Sequence, residues 1–283
     1  MRKLELHNPA LMRLSKSKIG GFMGWCEYSF ALDNIQGIKG SSAAWTTLGV
    51  DAHQLVEDYY KDMMLCKTEE EVLALSEDWQ PTTAQLEGKH EDSMLHLDAV
   101  MAIDMQRLLN LQENGHCLLT YGRPVEVEEY LRVDNDGTNQ NKDISGMIDL
   151  VCRETDGGIG LYDLKTGKVG KIQDHYFQLH LYKWMYEQLH PGEEVTKIGI
   201  IWSKNSTVEV VAPNKRSYNS AIKKIQTARD RLQEAWDKRT PTNPIAGFKK
   251  ALRNPFPCSF CPMEHKSICW KEEYDVDLEE PGQ

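Results

Sequence analysis

The sequence predicts a single α/β domain in which helices and a C-terminal tail surround a mixed β-sheet. Three observations lead to this prediction: the order of apolar patterns, the turns between consecutive strand-like segments, and a length that suits one large domain. The chain has 283 residues, of which 40% are hydrophobic and 27% are charged. We divide the predicted domain, 1–283, into a helical part (15–120), a sheet-containing core (121–240) and a cysteine-rich tail (241–283).

Apolar residues at helical spacing predict the helices of the first part. Leu48, Leu55 and Tyr59 fall on one face of a predicted helix over 42–66. A longer helix over 92–114 is predicted to end at the Asn-Gly pair that follows it. Residues 15–30 are predicted to form a short helix or a loop, and a short helix is predicted over 69–75.

The pattern then changes to one typical of strands. Segments rich in β-branched residues predict strands at 124–133, 144–152, 159–164, 196–202 and 207–211. Turns at Asn135–Thr138 and Asp156–Gly158 separate the first three, which predicts an antiparallel meander. Helices over 174–189 and 219–239 complete the predicted core.

Charge and hydropathy exclude several classes of protein. The 33 Lys+Arg and 43 Asp+Glu side chains give a net charge of −10, which argues against binding nucleic acid through bulk positive charge. Residues 163–253, however, hold 17 basic and 9 acidic side chains, a net +8, so a nucleic-acid partner stays open. No run of about eighteen apolar residues predicts a membrane span, and the first residues lack the apolar core of a signal peptide. We therefore expect a cytoplasmic protein.

One polar trio carries the strongest chemical indication. Asp149 ends the segment Gly-Met-Ile-Asp, and Asp163-Leu-Lys165 follows a glycine-rich hairpin on the next strand. Residues 163 and 165 face the same side of a strand, and a short hairpin brings Asp149 opposite them. Two close carboxylates repel each other unless a cation lies between them, which predicts Mg²⁺ or Mn²⁺. The alternative is an ordinary Asp-x-Lys pair on the surface of a strand.

The combined pattern resembles the PD-(D/E)xK nuclease superfamily, in its RecB-like exonuclease branch. That branch has Gly-x-(Ile/Val)-Asp, then Asp-x-Lys-Thr-Gly, then Gln-x-x-x-Tyr on the following helix. Here these segments read Gly-Met-Ile-Asp149, Asp163-Leu-Lys165-Thr-Gly and Gln178-Leu-His-Leu-Tyr182. An upstream Gly-x-x-x-His53 is similar to another element of the branch. The resemblance implies a restriction-endonuclease-like core.

The resemblance implies a role for each matching residue. His53, Asp149 and Asp163 would be metal ligands through their side chains, and Leu164 through its backbone carbonyl. Lys165 would be the catalytic lysine, with Gln178 and Tyr182 positioning it or the DNA backbone; the alternative for these two is an ordinary helix-surface pair. A lone His53 is also compatible with a structural histidine.

Glu128 and the basic residues are weaker candidates. Glu128 alternates with valines, so a solvent-facing strand position is the default, and a second-metal ligand is the functional alternative. The candidate DNA contacts in the basic half are Lys168, Lys171, Lys204, Lys215 and Arg216.

The seven cysteines indicate a metal or cluster site. An odd count without a secretory signal makes a poor disulfide framework, and three cysteines lie close together as Cys258-x2-Cys261-x7-Cys269. A four-thiolate site needs a fourth ligand, and the resemblance implies Cys26, whose segment is similar to the N-terminal Ser-x-Ser…Cys element of the RecB-like branch. The remaining Cys66, Cys117 and Cys152 are predicted to be small buried apolar side chains.

Thiolate chemistry alone leaves the bound group open between zinc and an iron–sulfur cluster. AddB-type subunits and CRISPR-associated exonucleases of the RecB-like branch have one N-terminal and three C-terminal cysteines around a [4Fe–4S] cluster. The resemblance therefore implies a [4Fe–4S] cluster, with Zn²⁺ as the alternative.

The function implied is that of a metal-dependent DNA exonuclease acting at single- or double-stranded ends, in recombination, repair or degradation, of a phage or CRISPR-associated type. Two alternatives are a non-catalytic DNA-end-binding subunit with a nuclease fold and a zinc-stabilised interaction module. The sequence has no Gly-x-x-x-x-Gly-Lys-(Ser/Thr) segment, so ATP-driven unwinding would need a helicase or recombination partner. A homo-oligomer is compatible with the sequence, and a membrane partner is not expected.

Overall fold

The computed structural model describes residues 8–40, 44–134, 143–251 and 258–274. The chain forms two compact units: a larger one of residues 43–133 and 146–222, and a smaller one of residues 1–42, 134–145 and 223–283. The predicted turn at Asn135–Thr138 and parts of the predicted tail lie outside the described residues. A single nuclease domain over the whole chain stays a prediction.

The described strands and helices follow the predicted order closely. The strands are β1 (Leu14–Ser15), β2 (Pro124–Asp134), β3 (Asp143–Arg153), β4 (Ile159–Lys165), β5 (Val195–Trp202) and β6 (Thr207–Val211). The α-helices are α1 (Lys16–Gly20), α2 (Glu27–Asn34), α3 (Ala44–Leu65), α4 (Glu69–Asp78), α5 (Thr83–Leu86), α6 (Ser93–Glu113), α7 (Tyr176–Leu189), α8 (Lys215–Asp237) and α9 (Met263–Tyr274). Single π-helical turns lie at Gly21–Trp25 and Leu118–Gly122.

The sheet of the larger unit is mixed, as predicted. Its strands follow the order β3-β4-β5-β6, and β2 also pairs with β3. Strands β3 and β4 are antiparallel, β4 and β5 are parallel, and β5 and β6 are antiparallel. A parallel pair needs a long crossover connection, and helix α7 lies within the one between β4 and β5. The arrangement confirms the predicted α/β class.

Helices α3 and α6 pack their apolar faces against this sheet. Leu55, Tyr59 and Met63 repeat every four residues along α3 and are fully buried. They form one hydrophobic cluster with α6 and with side chains of the central strands, among them Leu150 and Leu164. This packing fixes the helix that carries His53 to the strands that carry the acidic residues.

Two of the three isolated cysteines behave as predicted. Cys66 and Cys152 are buried in the hydrophobic cluster of the larger unit. Cys117 is exposed, so the prediction that it is buried is wrong. It follows the end of α6 and precedes the π-helical turn, where the chain runs along the surface.

The smaller unit joins the two ends of the sequence. Strand β1 pairs in parallel with the start of β3, through Leu14 and Ile144. The Tyr28 N–H on α2 donates to the Lys249 carbonyl at 3.0 Å, and the Lys250 ammonium lies 4.8 Å from the centre of the Tyr28 ring. The residues after α8 therefore pack directly against the N-terminal helices.

None of the helices in the described ranges is long and apolar enough to cross a lipid bilayer.

Candidate active site

The central strands bring the predicted acidic residues together. The Leu164 N–H, between Asp163 and Lys165 on β4, donates to Asp149 Oδ2 on the neighbouring β3 at 2.6 Å. Strands β3 and β4 are adjacent and antiparallel, with Leu150 opposite Tyr162. The residue just before Leu150 therefore lies beside the residues just after Tyr162. The predicted opposition of Asp149 to the Asp163-x-Lys165 segment is therefore present.

Three side chains from three different elements form a candidate metal centre. His53 on α3, Glu128 on β2 and Asp149 on β3 each place one donor atom within 4.8 Å of the other two. His53 Nδ1 lies 3.6 Å from Asp149 Oδ2 and 3.8 Å from Glu128 Oε1. Two carboxylates and one imidazole are a suitable donor set for a divalent cation.

The electrostatics of these groups are unfavourable without a cation. Burial, reinforced by the charge of Asp163, raises the pKa of Asp149 to about 7. Burial lowers the pKa of His53, but Glu128 and the negative charges of Asp149 and Asp163 outweigh that effect, so the pKa is raised above its ordinary value. A bound cation would favour the ionised carboxylate and the neutral imidazole.

Asp163 faces a second group of side chains. Asp163 is only 2% exposed, and its carboxylate forms an ion pair with Lys165 and accepts a hydrogen bond from Gln178 Nε2. The same Gln178 nitrogen lies 3.1 Å from the Tyr182 hydroxyl. Asp163 is not one of the three donors that converge, among the described residues, on the candidate metal centre. Its role as a ligand, and that of the Leu164 carbonyl, stay predictions.

Gly146 lets helix α7 approach the sheet beside this group. A Cβ added at Gly146 would lie 2.7 Å from Cε1 of Tyr182, closer than side chains pack. The glycine in Gly-Met-Ile-Asp149 thus makes room for the tyrosine that contacts Gln178. This explains in physical terms why a glycine suits that position of the motif.

Glu128 has a strained backbone at the candidate metal centre. Its φ of +51° lies in the left-handed region, which a glutamate rarely adopts and which costs about 1–3 kcal/mol. A residue in this conformation interrupts the regular alternation of the β2 side chains between the two faces of the sheet. The default prediction of a solvent-facing position therefore fails for Glu128, whose carboxylate faces His53.

We expect Glu128→Asn to raise stability while weakening cation binding. Asparagine tolerates the left-handed region better than glutamate, so the metal-free variant should gain about 1 kcal/mol of unfolding free energy. Loss of the carboxylate should weaken Mn²⁺ binding by about tenfold or more. Denaturant unfolding in a chelator and calorimetric Mn²⁺ titration measure the two effects. Glu126→Asn, an exposed position on the same strand, is the matched control, and equal Mn²⁺ affinities of the two variants would contradict the ligand role.

The predicted DNA contacts are all exposed. They are Lys168, Lys171, Lys204, Lys215 and Arg216. Since β4 and β5 are parallel, with Lys165 opposite Trp202, the chain leaves both strands at the same edge of the sheet. Lys168 and Lys204 follow these strand ends, which places positive charge at the edge that also carries Lys165.

Sequence reasoning missed two residues that support Lys165. The Ser203 hydroxyl, just after β5, donates to the Lys165 carbonyl at 3.2 Å. His96 Nδ1, on α6, lies 2.8 Å from the same hydroxyl. Both side chains are buried. No local motif marks them, because the three residues lie far apart in sequence.

The smaller unit contains a second candidate metal site. Cys26, Cys258, Cys261 and Cys269 line one cavity. Among the residues that the structure describes, no three of these sulfurs lie within 4.8 Å of one another. The four cysteines selected in the sequence analysis therefore share a cavity, and their role as ligands stays a prediction.

Comparisons with known proteins agree with this geometry. The sequence matches the PD-(D/E)XK nuclease superfamily over residues 13–269. Among solved structures, the chain is similar in fold to a protein from Eubacterium rectale described as a "Putative exonuclease", with a TM-score of 0.52 and 11% sequence identity. The similarity covers 96% of this chain and 91% of that one. No curated protein matches in sequence. The family match spans most of the chain and contains every residue of the candidate active site, so the chain belongs to the PD-(D/E)XK nuclease superfamily.

Proposed function

We propose that this protein is a divalent-cation-dependent DNA exonuclease. The observation that carries the proposal is the convergence of His53, Glu128 and Asp149 beside the ion pair of Asp163 and Lys165. Hydrolysis of a phosphodiester needs a cation that activates water and groups that stabilise charge on the phosphate. The site supplies donors for the first and an ammonium group for the second.

The donor set fits Mg²⁺ or Mn²⁺. Carboxylate oxygens suit both ions, and the His53 imidazole favours the transition metal Mn²⁺ over Mg²⁺. When bound, the cation lowers the pKa of a water molecule and neutralises charge on the scissile phosphate. We therefore expect higher activity with Mn²⁺ than with Mg²⁺ at equal concentration.

Lys165 is the proposed catalytic residue. Its ammonium pairs with the Asp163 carboxylate, which Gln178 holds from the other side. This pairing limits the rotation of the ammonium group, which would stabilise the charge on a bound phosphate. Tyr182 stabilises Gln178 through the 3.1 Å contact of their polar atoms. We retain Asp163 and the Leu164 carbonyl as further proposed ligands of the cation.

The exposed basic residues near the ends of β4 and β5 are proposed to bind the DNA backbone. Lysine and arginine contacts to phosphates give affinity that falls steeply with salt and depends little on sequence. Lys168 and Lys204 are the first choices, because both directly follow the strand ends at the edge that carries Lys165.

Action at DNA ends is supported by the RecB-like order of motifs and by the name of the Eubacterium rectale protein. The test compares 5′- and 3′-labelled linear DNA, single- and double-stranded, with a covalently closed circle, in Mn²⁺, Mg²⁺ or a chelator. We expect release of labelled mononucleotides or short products from linear DNA in Mn²⁺ and no cleavage of the circle. Cleavage of the circle would show that the protein is an endonuclease and would contradict the proposed exonuclease activity. Binding of ends without cleavage in either cation would instead favour the non-catalytic subunit.

We propose a [4Fe–4S] cluster for the cysteine site. The proposal is supported by the cavity that Cys26, Cys258, Cys261 and Cys269 line together and by the one-plus-three order of cysteines that resembles the RecB-like branch. Four thiolates suit zinc as well, so Zn²⁺ is the alternative.

Anaerobic purification followed by a visible spectrum and metal analysis tests the cluster. A broad absorbance band in the visible region with about four irons per chain is expected. One zinc per chain and no visible absorbance would assign the site to zinc. This outcome would leave the nuclease proposal unaffected.

A further inference from the structure

A histidine just after helix α7 holds strand β2 beside the candidate metal centre. His190 Nε2 donates to Glu129 Oε1 at 2.9 Å, and Glu129 directly follows Glu128 in the strand. The His190 ring stacks on the Tyr186 ring, with 4.1 Å between the ring centres and an angle of 16° between the planes. Tyr186 is itself buried, so the helix gives the histidine a fixed support. The residue next to a candidate ligand is therefore tied to the end of α7.

The sheet of the larger unit has different neighbours on its two faces. On β4, Leu164 belongs to the hydrophobic cluster that includes side chains of α3 and α6. The preceding residue, Asp163, contacts Gln178 on α7. Since consecutive side chains of a strand point to opposite faces, α7 and that cluster lie on opposite faces of the sheet.

Strand β2 changes its orientation at Glu128. In a regular strand, Val127 and Glu129 would face the same side, because side chains repeat every two positions. Here Val127 packs against the hydrophobic cluster, whereas Glu129 pairs with His190 at the end of α7. The one residue between them, Glu128, has the φ of +51° that allows this change. The pair of Glu129 and His190 thus fixes the place in β2 at which the change occurs.

The hydrogen bond from His190 keeps the Glu129 carboxylate in place. The Glu129 Oε2 atom is buried and has no hydrogen-bond partner among the described residues. Without the His190 donor, both carboxylate oxygens would gain by turning toward water, because a buried polar atom without a partner is unfavourable. A positive φ in a glutamate also persists only while the surrounding structure holds it. Loss of the hydrogen bond would therefore let Glu128 return to ordinary strand dihedral angles, away from His53.

We propose that His190 is a positioning residue of the candidate metal centre: by holding Glu129 on the α7 face of the sheet, it turns the Glu128 carboxylate toward His53 and Asp149. The inference rests on the proposed function, because it assumes that Glu128 binds the catalytic cation. It adds a residue that acts through the strand and not as a ligand. Residues that orient a ligand without binding the metal commonly change the metal affinity by about 10- to 100-fold.

The test compares the Mn²⁺ affinities of full-length variants by calorimetric titration. His190→Phe keeps a ring that can stack on Tyr186 but cannot donate, whereas His190→Gln keeps an N–H donor. Glu129→Leu removes the other partner of the hydrogen bond. Arg153→Ala is the matched control, because Arg153 pairs with Glu193 near the same end of α7 but lies on β3. Circular dichroism checks that each variant is folded.

We expect His190→Phe and Glu129→Leu to bind Mn²⁺ about tenfold more weakly than wild type. His190→Gln and Arg153→Ala should bind it nearly as well as wild type. In a protein that already carries Glu128→Asn, His190→Phe should weaken Mn²⁺ binding no further, because the carboxylate that His190 positions is already gone. A general loss of structure would instead lower the affinity in both backgrounds.

Two outcomes would contradict the inference, and they differ from failure of the proposed function. Equal Mn²⁺ affinities of wild type and His190→Phe, or the same loss of affinity with and without Glu128→Asn, would overturn the positioning role alone. A wild-type protein that binds no Mn²⁺ would overturn the metal centre itself, and with it the proposed function.

Discussion

Lys165→Ala is expected to lower the rate of DNA cleavage by about a thousandfold, the usual cost of removing one group that stabilises transition-state charge. DNA binding should stay nearly unchanged, because the backbone is held by several exposed basic residues. Single-turnover cleavage of end-labelled DNA in Mn²⁺, together with DNA binding in Ca²⁺, measures both quantities. A variant that retains full turnover would remove Lys165 from the proposed mechanism.

The alanine variant leaves the buried Asp163 carboxylate without its ionic partner, so a second substitution separates catalysis from folding. Lys165→Gln keeps a hydrogen-bond donor for Asp163 and removes only the positive charge. It should match wild type in stability more closely and still lose cleavage. Lys197→Ala is the control: this lysine on β5 also pairs with a carboxylate, Glu154 at 2.8 Å, but we assign it no role in catalysis.

Cys26→Ala is expected to abolish metal binding in the smaller unit and to lower its stability by up to about 5 kcal/mol. This figure is the chain-entropy limit for a link between residues as far apart as Cys26 and Cys258. Metal content and the midpoint of denaturant unfolding, monitored by tryptophan fluorescence, are the measurements. An unchanged visible spectrum and an unchanged midpoint would show that Cys26 is not the fourth ligand.

Cys117→Ala is the control for Cys26→Ala, because it removes an exposed cysteine outside the cavity. It should change neither the metal content nor the midpoint of unfolding. The contacts of Tyr28 with Lys249 and of His265 with Ile38 do not involve the metal. We therefore expect the tail of the Cys26→Ala variant to remain docked in native buffer, and the loss of stability to appear on unfolding.

Most boundaries of helices and strands were predicted from local sequence patterns. The predictions that failed, for helices α8 and α9, have identifiable causes. Helix α8 begins at Lys215, four residues before the predicted start, because the Asn214 side chain accepts from the Ser217 N–H at 2.8 Å. Asparagine after a proline is a helix-start signal that was available in the sequence. Helix α9 was missed because its apolar residues follow no clear helical stripe.

The candidate sites were predictable to the extent that their residues belong to motifs. Asp149, Asp163, Lys165, Gln178 and Tyr182 lie in short segments whose spacing matches strands and a helix, so the sequence placed them correctly relative to one another. The four cysteines were selected from their spacing and from the resemblance, and their role as ligands stays a prediction. Glu128 was not separated from an ordinary strand residue, since a positive φ leaves no mark in the pattern of side chains.

The amino-acid sequence by itself determined the order of helices and strands and the superfamily motifs. These properties depend on periodicity and short spacings, which are local. Only the tertiary structure decided that Glu128 meets His53 and Asp149, that Ser203 and His96 support Lys165, and that Ser29 contacts His265 and Cys261. Each of these contacts joins side chains from separate elements, and such pairings follow from how the chain packs.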